Sequence, residues 1–437
     1  MKRSSSRSHW NVIIIFFFFM LLHQADKLLI GPLTPDIRAD FGITRTQMGA
    51  VTSAALIVGS VLYPLWGYWY DRYARAKLIA LASFIWGATT WISAIAPTYG
   101  VFLATRATTG IDDSSYPGLY SLVSDYFGPS VRGKIYGALQ VAQPLGYLVG
   151  LVLALIVGPM IGWRKIFYIT GSLGLVLAVL IYFGVKEMPR GQAEPEMAGL
   201  EEMGMYKFDR SKAAELFKKR SLWLLFAQGF VGVFPWNVIT FWFFDYLATE
   251  RGYEQSAILT TMAPAVLVLA GGYFVGGWLG DALFKRTPRG RLFVAMGAVL
   301  LGAILISFTI NVPIENRTLF FFLLCATALF IPFASPNMIS SVYDITLPEV
   351  RSTALSVQYF IENAGAAAAP LLAGYIADQP GSSLQVAILG ICVTAWLIGS
   401  VFLAFAAYLI PKDIQALRGQ MAARAETEKA RQVTGTM

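Results

Sequence analysis

Eight ionisable residues stand inside long apolar stretches of this chain: His23, Asp26, Lys27, Arg106, Asp112, Asp113, Asp245 and Glu362. A charge in hydrocarbon is costly unless it is paired or faces a cavity, so such residues mark proton relays, ion pairs or substrate paths. Arg106 and Asp113 are seven residues apart. That spacing is two helical turns and predicts a shared face, with Asp112 rotated about 100° from it. Asp26 is the natural acid for Arg106 from a neighbouring helix. A proton arriving at Asp26 or Asp113 would break such a pair and free Arg106 for an anionic substrate. Proton movement would then be coupled to substrate movement. The alternative is a static ionic network that only specifies helix packing. Lys27 points about 100° away from Asp26 and pairs elsewhere or snorkels. His23, one turn earlier, reads either as a hydrogen-bonded packing residue or as a relay.

The later part of the chain offers a different surface. Phe234-Pro235-Trp236-Asn237 is expected to interrupt an apolar stretch, and Phe241, Trp242, Phe243 and Phe244 follow. Another stretch carries Gln358, Tyr359, Glu362 and Asn363. An acid-bearing face opposite an aromatic one suits an amphipathic ligand with a greasy body and a polar head. The alternative is that the aromatic rings simply face lipid or core. Pro32 and Pro35 are expected to kink or end the outer part of the first helix.

A third group of motifs concerns motion. In Gly67-x-x-x-Asp71-Arg72-x-x-Arg75, Gly67 allows two helices to approach closely. Asp71 can accept from a helix N-terminus or from an arginine across the molecule, latching one state. A weaker copy ends at Asp281, and Pro129-Ser-Val-Arg132-Gly133 is echoed by Pro348-Glu-Val-Arg351-Ser352. The two offsets, 210 and 219 residues, agree to within one loop insertion and imply two related halves. These residues would serve a conformational gate, not substrate contact.

The elements that position all of this must be membrane helices. The chain is 56% hydrophobic and only 14% charged, against roughly 25% charged in soluble domains. About 20 apolar residues cross a bilayer. Twelve spans are expected, numbered one to twelve, at 10–36, 46–71, 77–96, 99–126, 132–158, 164–186, 220–249, 255–282, 291–311, 317–345, 351–378 and 385–411. The fold class is therefore all-α, two six-helix halves at 1–190 and 220–411. They are joined by a cytoplasmic linker over 191–219, whose last part suits an interfacial amphipathic helix. The tail, 412–437, is expected to be a short surface helix that frays. With the N-terminus in the cytoplasm, 26 of the 34 Lys and Arg fall on the cytoplasmic side, so both termini are placed there.

Several functions are argued against. The net charge of +8 is spread in short clusters between apolar stretches, unlike the basic stripe of a nucleic-acid binder. There is no GxxxxGK[ST] loop and no HExxH, and the only histidines are His9 and His23. No enzyme, cofactor or metal is expected, and ATP-driven transport would need another chain. Cys325 and Cys392 show neither disulfide nor metal-ligand spacing. The first apolar run lacks a clear cleavage site and reads as a span, not a leader.

Together these residues resemble the Spinster-like branch of the major facilitator superfamily. The resemblance rests on Asp26-Lys27, Asp40-Phe-Gly-Ile43, the Gly67-to-Arg75 motif, and Arg106-x-x-x-Gly110-Ile111-Asp112-Asp113 followed by Ser115-Tyr116-Pro117. Asp125-Tyr-Phe127, Arg132-Gly133, Pro144-Leu-Gly146 and Pro370-x-x-x-Gly374-x-x-x-Asp378 extend it. The family pattern in span four is Arg-x-x-x-Gly-x-Gly-Glu, so Asp113 takes the place of the Glu and Asp112 that of a Gly. The resemblance implies a major-facilitator fold and alternating access. It implies roles for Asp26, Arg106 and Asp113 in proton coupling and substrate binding, and a lysolipid or sphingoid-like substrate. Lys27, Asn237, Tyr359 and Glu362 are further candidates beside the cavity. A second similarity, to organic-anion:proton symporters of the same superfamily, would imply sugar acids or carboxylates. The partners expected are a small amphipathic substrate, protons and the bilayer of a plasma or inner membrane, with the chain working as a monomer.

Overall fold

The computed structural model describes residues 6–43, 45–113, 115–197, 209–377 and 379–434, and within these the regular structure is entirely helical. In hydrocarbon every backbone N–H and C=O must be satisfied within the chain, and helices do this segment by segment. Twelve helical segments follow one another. Spans one to three are Ser6–Phe41, Arg45–Arg72 and Arg75–Ile95. Span four occupies 99–126 and span five 129–161, each in several pieces; span six is Trp163–Gly184. Spans seven to nine begin with Arg220–Asp245, Gln255–Phe284 and Gly290–Ile310. Span ten occupies 317–344, span eleven is Arg351–Ala377, and span twelve begins Leu384–Thr434. Nine of these, all but spans two, four and eleven, are individually long and apolar enough to cross a membrane. The largest buried core cluster runs from Val12 in span one to Ile414 in the span-twelve helix, so both sets of six helices share it.

Four local expectations are corrected. Span four breaks at Thr108 and Thr109, whose hydroxyls bond back to the carbonyls of Thr105 and Arg106. It resumes as Gly110–Asp113 and again as Tyr116–Tyr126. The backbone helix between Arg106 and Asp113 is therefore not continuous. Phe234-Pro235-Trp236-Asn237 does not interrupt span seven, which runs through Pro235. Span one likewise does not end at Pro32 or Pro35 but continues to Phe41. The tail does not fray at its start. Span twelve carries on through Pro411 as one helix to Thr434, burying Leu417, Met421 and Ala425 against Met197. In the linker, a short helix covers Arg210–Leu216.

Candidate functional site

The first polar centre lies inside the bundle of spans one, three, four and six. Arg106 Nη1 lies 3.0 Å from Asp26 Oδ2, and the two residues are 2% and 1% exposed. Trp86 Nε1 donates to the same carboxylate oxygen at 3.1 Å, and the Thr170 hydroxyl donates to Oδ1 at 2.7 Å. The Arg106 guanidinium sits 5.1 Å over the Phe167 ring, and its Nε has no hydrogen-bond partner among the described residues. His23 extends this centre: its ring meets Trp86 edge-on at 5.6 Å, and its Nδ1 is 2.8 Å from the Tyr116 hydroxyl. A polar thread thus runs from Tyr116 through His23 and Trp86 to Asp26 and Arg106. Lys27 is exposed, on a different side of span one from its buried neighbour. The side chains of Asp112 and Asp113, and the whole of Asp378, lie outside the described residues.

The second centre lies where span eleven meets spans two and seven. Gln358 donates from Nε2 to Glu362 Oε1 at 2.7 Å, and the Glu362 carboxyl packs against Gly229 of span seven. One turn away, Tyr359 meets Tyr63 of span two at 5.6 Å between ring centres. More rings carry this layer on, Tyr120 beside Tyr136 at 5.0 Å and Tyr136 beside Tyr343 at 6.0 Å. Asn237 is not brought to either centre: its amide donates to the Val233 carbonyl of its own helix. No contact among the described residues joins Glu362 to the Asp26–Arg106 pair.

At the linker end of the bundle the motion motifs interlock. Asp71 accepts from the backbone N–H groups of Ser352 at 3.0 Å and Thr353 at 2.6 Å, which start span eleven. Asp281 accepts in the same way from Gly133 at 3.0 Å and Lys134 at 2.7 Å, at the start of span five. Each acid of one half thus caps a helix of the other, where the partial positive charge of the helix start favours it. Gly67 is required here, because a Cβ would meet Ser356 and stand 3.1 Å from the Ser352 carbonyl.

The arginines follow the same exchange. Arg75 pairs with Asp125 at 2.5 Å within the first half, and Arg291 pairs with Asp344 within the second. Arg351 then reaches across to Asp125 at 3.7 Å, and Arg132 to Asp344 at 3.5 Å. Arg72 stays out of this network, exposed and bonded to the Tyr68 hydroxyl. Glu194 of the linker, fully buried, binds Arg132 at 3.0 Å and also Arg351. Burial works against that carboxylate. The guanidiniums of Arg351, Arg132 and Arg418 overcome it and hold its carboxyl well below the usual carboxylate range.

Sequence reasoning missed Arg291, Asp344 and Glu194, and gave Asp125 no role in the gate. A signal for two of them was present: Asp125 precedes Arg132 by the same seven residues that separate Asp344 from Arg351. Glu194 has no counterpart in the repeat and carries no such signal.

Comparison with known proteins agrees with this architecture. The chain is similar to the Drosophila melanogaster protein spinster, 28% identical over 390 residues, covering 86% of this chain and 63% of that one. The chain thus spans less than two thirds of that relative's length. It is also similar to a probable sulfoacetate transporter of Cupriavidus necator, 26% identical over 377 residues, covering 82% and 84% of the two chains. The solved structure of the Escherichia coli fucose:proton symporter superposes with a TM-score of 0.70 at 16% identity, covering 92% and 99%. Residues 14–316, well over half the chain, match the Major Facilitator Superfamily. This multi-pass membrane protein is a transporter and not an enzyme, and it belongs to the Major Facilitator Superfamily.

Proposed function

We propose that this chain is a proton-coupled secondary transporter that moves an amphipathic, lysolipid- or sphingoid-like substrate by alternating access. The observation that carries the coupling is the Asp26–Arg106 pair, fully buried and held from four helices. Desolvating two charges is costly, and the attraction between them repays that only in good geometry. Protonation of Asp26 releases Arg106, whose Nε has no partner among the described residues, to bind an anionic group. Trp86 joins this pair to His23 only by an aromatic contact, and the His23–Tyr116 hydrogen bond lies beside the pair as its polar lining. The aromatic layer around Tyr63 and Tyr359, beside Glu362, fits a substrate with an apolar body and a polar head. The Lys and Arg asymmetry supports a cytoplasmic linker end and cytoplasmic termini. The 1–190 and 220–411 halves then rock about this site as two bodies.

A second reading, transport of a small organic anion, is favoured by the exposed Lys27 and by the relative named for sulfoacetate. Substrate-dependent proton flux in proteoliposomes separates the two. Flux with a lysophospholipid and sphingoid panel alone, lost in Arg106→Ala, supports the first reading. Flux only with small carboxylates and sulfonates overturns the substrate class and retains the coupling scheme. Absence of proton movement with any transported substrate overturns the coupling.

A further inference from the structure

We infer that the C-terminal helix beyond Pro411 is a strap that holds the linker end closed, so that its release governs how often that end opens. The helix is amphipathic in place: Ile414, Leu417, Met421 and Ala425 recur every three or four residues and are all buried. Leu417 and Met421 pack on Met197 of the linker and on Leu347 in the loop before span eleven. Two arginines fix the ends of this contact. Arg418 reaches Glu194 at 2.5 Å and Glu196 at 3.1 Å. Arg424 grips both oxygens of Glu349, at 2.5 and 3.0 Å.

The strap acts through the linker glutamate. Glu194 lies between Arg132 at the start of span five and Arg351 at the start of span eleven. Opening the linker end separates those two helix starts, so Glu194 must leave at least one of the arginines. Arg418 holds Glu194 from the tail side, while Arg424 and the apolar stripe tie the same helix to the second half through Glu349 and Leu347. Tail, linker and second half are therefore bonded to one another in the closed state, while Arg132 and Asp125 hold the linker to the first half, and opening must break one set of contacts or the other. Buried pairs of this kind are costly to break one partner at a time.

The test uses the full chain in proteoliposomes. Cys325 and Cys392 are replaced by serine and alanine, and Ser356→Cys supplies a reporter buried between spans two and eleven. The rate of N-ethylmaleimide labelling then reads how often the linker end opens. Removing 412–437 is expected to raise that rate about tenfold, a shift of the size that loss of a differential contact produces. Arg424→Gln and Met421→Asp, both beyond Pro411, are expected to raise it in the same direction, with a lower thermal midpoint because each leaves a buried acid without a partner. Unchanged labelling in both point variants overturns the proposal, whatever the truncated chain does. An equal rise in Gly110→Ala, which destabilises the helix packing far from the tail, assigns the effect to general loss of stability and also overturns the proposal.

Discussion

Asp26 gathers an indole, a threonine hydroxyl and a guanidinium onto one buried carboxylate. Asp26→Asn keeps the shape and removes the charge, leaving Arg106 buried without its counter-ion. Breaking one side of a buried pair costs about 3–5 kcal/mol, so the variant is expected to unfold at lower temperature in detergent. Its proton-coupled flux is expected to vanish, and retention of full flux would remove Asp26 from the mechanism. That Arg106 meets Asp26 was legible in the sequence, because a charge among apolar spans must find its opposite. That span four breaks between Arg106 and Asp113 was not. The break lies in two threonine hydroxyls turning back on their own helix and in Gly110 lying against Gly59, which no spacing encodes.

Helices meet at points where only glycine fits. A Cβ on Gly110 would collide with the backbone of Gly59 and Ala55, atoms that cannot swing aside like a side-chain tip. Gly110→Ala is therefore expected to destabilise the chain by about 1–3 kcal/mol, read as a lower thermal midpoint. Gly67→Leu wedges spans two and eleven apart only when the linker end is closed. It is expected to increase maleimide labelling of the Ser356→Cys reporter several-fold, and slower labelling would contradict this role. Spans were readable from apolar length alone, and Asp71 as a helix cap from its motif. Pro235 misled the reading of span seven because the helix tolerates it among its neighbours. The docked tail was hidden for a related reason: its Ala-rich, charged composition says nothing of the linker surface it covers.

Across the whole molecule, the linker end is held by buried ion pairs whose response to pH can be stated. The carboxyls of Glu194 and Glu349 both titrate below their ordinary value: burial opposes their charge, and the arginines beside them outweigh it. Their stabilisation is fully present above the ordinary carboxylate pKa of about 4.3 and is lost only as pH falls through the lowered values. The ratio of reporter labelling in Arg424→Gln to that in the otherwise unaltered chain, in which the thiol's own ionisation cancels, is expected to be the same at about pH 8 and pH 5, and a ratio that falls to one at pH 5 would contradict the assignment. High salt is expected to change it little, because buried pairs are weakly screened. The repeat in the sequence foretold that the two sets of six helices would correspond. It could not foretell that they would trade partners, Asp71 capping span eleven while Asp281 caps span five.

That trade makes the joint self-complementary, and the covalent thread between the two sets of helices redundant for their recognition. A chain cut between Met197 and Asp209 leaves one fragment with Asp71, Arg132 and Glu194 and another with Asp281, Arg351 and Arg418. Co-expressed, the two pieces are expected to find each other in the membrane and co-purify as one particle.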